Sequence, residues 1–534
     1  MKHYVLRLPF LLLLLAALLG AGLSGCEPRE DIITTDPSAT LTASVAQVKF
    51  DTVFTQLGSV SKRFWVYNRN SKAVRVDEIS LVGVSSAVAR FELIINGRRG
   101  AALRDFELRG RDSVLVLASV TINPNAADTA FVVLDSVRLR ANGTTGYVRL
   151  RAYGENARYY DAPTDFVPVV ACGEVWGGTD RRPIVLLKTT IVDSACVLTV
   201  APGARVYVAN GASLLVRGRL RCGELGAAAV KFRGLRRDDF FDTTDPRYFD
   251  FENTPKYANT PGQWGTIAFE PRLDVHLTQE NELLNTDIRN ATVGVLVANG
   301  AYFRPGHRVR IEDCIIRNAF AVGVYGEGAG YTGSGAPAEG VRIVNTVITR
   351  CGERAVLGVG GGNWRLSHCT IEMGPGGPAF ARRETEAVAF DNKLERLDGT
   401  SRSSGTYLRI ENSIVWSGVR DDDNRLLNEL LLLPKASPDS VYIFRHNILQ
   451  TRFGRFNTDG ATYGEGQSGT NRLNENPVFR APAEPVKQDL CLDSLRSPAR
   501  RLGVPLSPAV PLDLLRETRS TSAPSAGAYE SLPL

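Results

Sequence analysis

Between residues 282 and 448 the apolar and polar positions fall into one short pattern, written six times. It reads ELLNTDIRNA from Glu282, RIEDCIIRNA from Arg310, RIVNTVITRC from Arg342, RLSHCTIEMG from Arg365, RIENSIVWSG from Arg409 and a degenerate IFRHNILQT from Ile443. Each copy has an apolar residue, Asn, Asp or His two positions on, usually Thr, Ser or Cys next, and then Ile, Val or Leu. In the third copy Ile343 and Ile348 are five positions apart, an odd separation that puts them on opposite faces of a flat strand. For both to enter one core the chain must turn between them. Asn345 suits the turn because Asn tolerates left-handed backbone angles. Thr346 and Ile348 then point inward, and Val347 and Thr349 outward. The same phase flip fits Leu283, Asn285, Thr286 and Ile288, and again Ile410, Asn412, Ser413 and Val415. A strand that bends, bends again and returns one layer higher is a rung of a parallel β-helix.

The corner residues at 285, 313, 345, 368, 412 and 446 are separated by 28, 32, 23, 44 and 34 positions. A rung takes about twenty residues, so the excess forms loops projecting from the coil, where solenoids often carry function. A small residue about ten positions after the corner (Gly294, Gly323, Ala355) belongs to the same unit. Upstream, Leu198 to Gly234 alternates in short strands punctuated by Gly203, Gly211, Gly218 and Gly226. This stretch resembles the opening turns of a right-handed β-helix in bacterial surface proteins. NPVF (Asn476 to Phe479), DLCLDSLRSPARRLG (Asp489 to Gly503), Asp513, Arg519 and AGAYE (Ala526 to Glu530) resemble the closing segment of β-helix repeat proteins of the pectate-lyase-like superfamily. The resemblance covers about residues 170 to 534. It implies a right-handed parallel β-helix over 165–480 with a closing segment over 481–534.

Residues 45–160 read differently. Arg63 to Asn68, Val74 to Val84, Ser113 to Ile122, Asp135 to Gly143 and Tyr147 to Gly154 alternate as strands with turn signals between them. That spacing predicts a β-sandwich, without an intersheet disulfide because no Cys lies between residues 27 and 171. The stretch resembles bacterial immunoglobulin-like domains, which implies a stalk or docking unit. The fold class is therefore all-β, a sandwich followed by a coil.

The N-terminus carries Lys2 and Arg7, an apolar run from Leu8 to Leu19, and LSGC ending at Cys26. This is a secretory signal over 1–25. It resembles the bacterial lipoprotein pattern, which implies a diacylglycerol on the Cys26 thiol, a tether over 26–44 and a membrane partner reached through lipid. Glu27, Glu30 and Asp31 are similar to the export tag of surface-exposed Bacteroidota lipoproteins, which implies the outer face of the outer membrane. No other segment is long and apolar enough to span a bilayer.

Formal charge is +6 over 534 residues, with Arg outnumbering Lys 53 to 10. The basic residues are dispersed among 57 acids rather than bunched beside aromatics, which excludes a nucleic-acid partner. Of eight Cys, one is the lipid-bearing Cys26. The remaining odd number leaves at least one thiol free. Cys172 and Cys196 bracket the start of the coil and are the disulfide candidates of an exported protein. Cys314 and Cys369 take the inward slot of Thr346, two rungs apart and about 10 Å from each other, too far to bridge.

HExxH, GxSxG and Walker motifs are absent. The outward positions after each corner are Asp287 and Arg289, Ile315 and Arg317, Val347 and Thr349, Thr370 and Glu372, Ile414 and Trp416. Asp287 and Glu372 lie three layers apart, about 14 Å, which exceeds the separation of a glycosidase pair. Arg289, Arg317, Glu372 and Trp416 form a row suited to glycan, since Arg bonds uronate or sulfate bidentately and Trp stacks on a sugar ring. No cofactor is implied. Calcium is the one ion the acidic loops admit, at Asp238, Asp239 and Asp242 or at Asp421, Asp422 and Asp423. The sequence thus favours a non-catalytic surface protein that binds glycan or a surface partner. A polysaccharide lyase or glycoside hydrolase is the alternative, because the fold hosts many, and a purely structural surface component is a third.

Overall fold

The computed structural model describes residues 32–83, 88–126, 129–236, 260–270, 280–298, 309–329, 340–374, 385–395, 399–433, 440–451, 470–481 and 488–531. The chain divides into two compact units, one of residues up to Gly154 and one from Glu155 onward, with 126–130 joining the second. The leader, Cys26 and the acidic residues after it lie outside the described residues, as do Asp238, Asp239 and Asp242.

The first unit is a β-sandwich. One sheet runs in the order Ile33–Thr34, Ala73–Leu81, Phe131–Ala141, Thr144–Glu155, Gln47–Phe54, with Ala102–Leu108 paired to Ala73–Leu81. The other runs Leu41–Ala43, Lys62–Asn68, Ser113–Ile122, Ala89–Ile95, Arg98–Arg99. Ser113–Ile122 alternates buried and half-buried positions almost without exception, as a strand with one face on a core must. That core includes Phe50, Phe64, Val66, Ile79, Leu93, Val116, Val137 and Leu150. The sandwich takes in strands at 33–34 and 41–43, so it begins ahead of the expected boundary at 45 and uses part of the segment read as a tether.

The second unit is a coil with three faces of parallel strands. The rung around the third sequence copy shows the plan. Val341–Val344 lies on the first face, Val347–Thr349 on the second, and Arg354–Ser367 runs along the third and back onto the first. The second face is an 11-stranded parallel sheet that starts at Arg158–Tyr160 and ends at Arg472–Leu473. All six corner residues adopt left-handed angles: Asn285 (φ 44°), Asp313 (55°), Asn345 (50°), His368 (52°), Asn412 (51°) and His446 (56°). The inward flip follows, with Leu283, Thr286 and Ile288, and Ile343, Thr346 and Ile348, all buried.

The small polar residue after each corner has a specific task. Thr346 Oγ1 donates to the Val344 carbonyl (2.7 Å) and accepts from the Cys314 N–H one rung away (3.3 Å). Ser413 Oγ does the same with the Glu411 carbonyl (2.9 Å) and the Cys369 N–H (3.0 Å). Backbone groups turned inward at the corner are thereby satisfied within the coil, as burial requires. Glycine at 294 and 323 has a steric cause. A Cβ at Gly294 would lie 2.5 Å from the Gly323 carbonyl oxygen, and one at Gly323 would lie 2.6 Å from that of Ala355.

The described residues between Asn476 and Glu530 form the closing segment. They lie along its side and dock on the outward corner side chains. Arg516 Nη1 donates to Asp313 Oδ2 (3.0 Å), and Arg519 Nη2 donates to Asn345 Oδ1 (2.6 Å). Asn345 Nδ2 in turn donates to Asp313 Oδ1 (2.6 Å). Asn412 exchanges bonds with Val504, through the carbonyl (2.7 Å) and the N–H (3.1 Å). His446 Nδ1 donates to the Leu502 carbonyl (2.9 Å). Beneath this seam a second apolar core forms between Val347, Ile414, Trp416 and Ile448 of the coil and Phe479, Leu490, Leu492, Ala499, Ala526 and Ala528 of the closing segment. The AGAYE turn fits because Gly527, at φ 94°, leaves no room for a Cβ beside Thr370 and Ile414.

Corners under the seam are expected to matter more than corners outside it. Asn345→Ala loses left-handed tolerance and strips an acceptor from the buried Arg519 guanidinium, costing about 3 kcal/mol. Asn285→Ala, whose Nδ2 among the described residues donates only to the Ala227 carbonyl (2.6 Å), costs about 1 kcal/mol. Guanidinium melts of the two variants check the difference, and equal losses would contradict the docking role.

Candidate functional site

Strand register places Arg289, Arg317, Thr349, Glu372 and Trp416 at directly successive positions on the second face. The two halves of that row have different surroundings. At the upper end Asp287 is clamped between two guanidiniums: Arg233 Nη2 donates to Oδ2 at 2.7 Å and Arg289 Nη2 to the same oxygen at 2.6 Å. Hydrogen bonds from Arg289 and the charge of Arg233 hold its carboxyl below the usual range against the opposing effect of burial. Arg289 and Arg317 remain partly exposed.

At the lower end the expectation of an open face is corrected. Glu372 is 4% exposed and Trp416 8%, because the closing segment covers them. Trp416 packs into the second core and presents no ring to a sugar. Glu372 Oε2 accepts from Gln488 Nε2 (2.7 Å) and Thr349 Oγ1 (3.1 Å), and burial pushes its pKa up to about 7. Asp287 and Glu372 stand three rungs apart by register. One is neutralised by arginines and the other is sealed from solvent.

The first face carries a feature the sequence reading passed over. Arg310, Arg342, Arg365 and Arg409 are paired in direct register on four successive strands, with Glu282 next before Arg310. Their signal was visible, since Arg opens four of the six copies. Like charges directly opposite one another on a sheet destabilise it. Carboxylates relieve part of the cost. Arg310 Nε bonds Glu312 Oε2 (2.6 Å) and its Nη1 lies 3.8 Å from Glu282, while Arg365 and Arg409 lie 3.6 and 3.9 Å from Glu411. Arg365 also donates to the Ser507 carbonyl (3.0 Å). Arg342 is the exception. Among the described residues no carboxylate lies within ion-pair distance of it; its buried Nε, like that of Arg409, has no hydrogen-bond partner.

Among the described residues no group of three or more His, Cys, Asp or Glu side chains is placed to hold a metal ion. Asp421 Oδ1 accepts the N–H groups of Asp423 (3.0 Å) and Arg425 (2.9 Å), closing its own turn, and Asp423 pairs with Arg425; Asp422 is exposed beside them. Cys172 and Cys196 are joined in a disulfide with Cα atoms 4.7 Å apart. Cys222, Cys314, Cys351 and Cys369 are buried free thiols, and Cys491 is partly exposed. Burial raises the Cys222, Cys369 and Cys491 thiols to about 12. Among the described residues no helix is long and apolar enough to cross a membrane.

No protein-family model and no curated protein sequence matches the chain. Solved structures with partial likeness include a protein of unknown function from Porphyromonas gingivalis W83, at 13% identity over 22% of this chain and 53% of that one, TM-score 0.17. Others are catalytic domains of GH87 α-1,3-glucanases. One in complex with nigerose matches at 10% identity over 76% of this chain and 83% of that one, TM-score 0.24. One from Streptomyces thermodiastaticus strain HF3-3 matches at 10% identity over 77% and 88%, TM-score 0.21. Superpositions this loose say nothing about activity.

Glu372 makes a pH prediction. A carboxyl raised from 4.5 to about 7 on folding binds a proton in the native state that the unfolded chain has lost, so its contribution is full below pH 4.5 and disappears as pH rises through 7. The wild-type protein is expected to lose on the order of 3 kcal/mol more than Glu372→Gln across that window. Melts of both proteins at several pH values measure the difference, and parallel pH profiles would rule the effect out.

Proposed function

We propose that this protein is a non-catalytic, lipid-anchored component of the bacterial outer surface. Cys26 carries the lipid, the immunoglobulin-like sandwich serves as a stalk, and the coil presents an elongated face to glycan. The observation that carries this reading is the run of registered arginines on the first face. It repeats once per rung, as a surface for a repeating polymer would. Arg289 and Arg317, the uncovered part of the second-face row, extend the contact surface around the coil. The rigidity such a surface needs comes from the inward stack of Ile, Val, Leu and Phe, each worth about 1.5–3 kcal/mol when buried. The binding reading is favoured over hydrolysis by the fate of the two second-face carboxylates, since a glycosidase needs one free acid and one free base facing a common groove.

Incubating the full chain with plant, algal and host polysaccharides, with and without calcium, tests the proposal. The expected result is retention of polysaccharide in pull-down without release of reducing ends or unsaturated uronate. Release of oligosaccharide would overturn it.

A further inference from the structure

The first-face arginines deserve a chemical assignment of their own, one that rests on the glycan-binding reading and narrows it. We propose that Arg310, Arg342 and Arg409, with Arg365 behind them, form a binding site for an acidic polysaccharide lying along the coil axis. Its anionic groups, carboxylate or sulfate, would be met by Arg310, Arg342 and Arg409, the rung of the buried Arg365 being passed over.

The placement is specific. Adjacent strands of a sheet stand about 4.8 Å apart, close to the length of one pyranose residue in an extended chain, so Arg310 and Arg342 meet successive sugars and Arg409 meets the one two rungs beyond Arg342. Arg310 and Arg409 keep 25% and 30% of their side-chain surface. Each already has a carboxylate nearby, which fixes the guanidinium while leaving other N–H groups to donate. Arg365 is held by Ser367 Oγ (3.3 Å) and the Ser507 carbonyl, and so adds field rather than direct contact. Arg342 lies between Arg310 and Arg365 and lacks an ion-pair partner among the described residues. It therefore carries the largest uncompensated positive charge of the row. A bidentate carboxylate or sulfate would supply what the protein leaves out. A rule of sheet pairing broken on four successive strands without full compensation is the kind of local conflict found at functional sites.

The interleaved acids decide which polyanion fits. Glu282, Glu312 and Glu411 sit among the arginines. They repel the anionic groups of either polymer, but a sugar chain offers hydroxyls that donate to them between its anionic groups, which a DNA backbone does not. The aromatic beside the row, Tyr407, has its hydroxyl taken by Arg409 Nη2 (3.3 Å). Single-stranded nucleic acid binding calls for an uninterrupted basic groove with aromatic platforms.

The test is binding of polygalacturonate, a sulfated galactan, neutral dextran and DNA to the full chain in detergent, at low and physiological salt. Wild-type protein, Arg342→Gln and Arg310→Gln are compared, with thermal melting of each. The expected result is salt-sensitive binding of one or both acidic glycans, weakened about tenfold by each substitution, while the melting temperature of Arg342→Gln does not fall. Whichever acidic glycan binds identifies the anionic group. Equal binding of an acidic glycan by wild type and Arg342→Gln would overturn the site. So would a preference for DNA, or a lowered melting temperature in both variants with unchanged affinity, which would mark the row as structural. Binding confined to dextran would overturn the anionic assignment but leave glycan binding intact. Absence of binding to every glycan would overturn both.

Discussion

Arg519 reaches from the closing segment to Asn345, and Asn345 reaches on to Asp313, which Arg516 holds from its other oxygen. This short chain of charge-assisted bonds determines what the coil can show to solvent. It exists because a left-handed corner turns its own side chain outward, so that every rung leaves one polar group protruding along a single edge. The closing segment uses that edge as a track. Burial pulls the Arg519 guanidinium down to about 10, still charged at neutral pH, so breaking the contact with Asn345 would strand a charge in a dry seam. Such losses are among the costliest a fold can suffer.

The consequence is a division of the surface. One face has its lower half converted from exterior to core, with Trp416 and Glu372 among the converted residues. Another keeps its arginines in register, with Arg310, Arg342 and Arg409 partly open and Arg365 buried against the Ser507 carbonyl. The Glu372 carboxyl, bonded by Gln488 and lifted towards neutrality, records the conversion most plainly. A group on an open sheet would not be shifted so far by desolvation.

Much of the coil was legible in the sequence because its grammar is local. The five-residue separation of Ile343 and Ile348 demanded a corner, Asn345 supplied it, and all six such positions hold left-handed angles. The inward slot shared by Thr346, Cys314 and Cys369 was readable for the same reason. The cover over Trp416 was not, since Phe479 and Ala528 lie more than sixty and one hundred positions downstream and no periodicity links them to the rungs they cover. The closing motif at Ala526 to Glu530 was visible as a motif. Its position alongside the coil, rather than across its end, depends on pairings such as Gly527 N–H to the Asn412 carbonyl (2.8 Å) that sequence spacing does not encode. The arginine row stands at the head of four copies, but Arg at one strand position carries no periodicity that marks it as a site.

The closing segment thus seals one face and leaves Arg310, Arg342 and Arg409 of another as the proposed contact surface. Residue-resolved footprinting of the full chain, with and without an acidic polysaccharide, tests it most directly. The account predicts that Trp416 is protected from hydroxyl radicals in both states, while arginine-selective modification of Arg342 and Arg310 proceeds in the free protein and falls when glycan is added. Ready oxidation of Trp416 that the glycan suppresses, with Arg342 indifferent to it, would contradict the account.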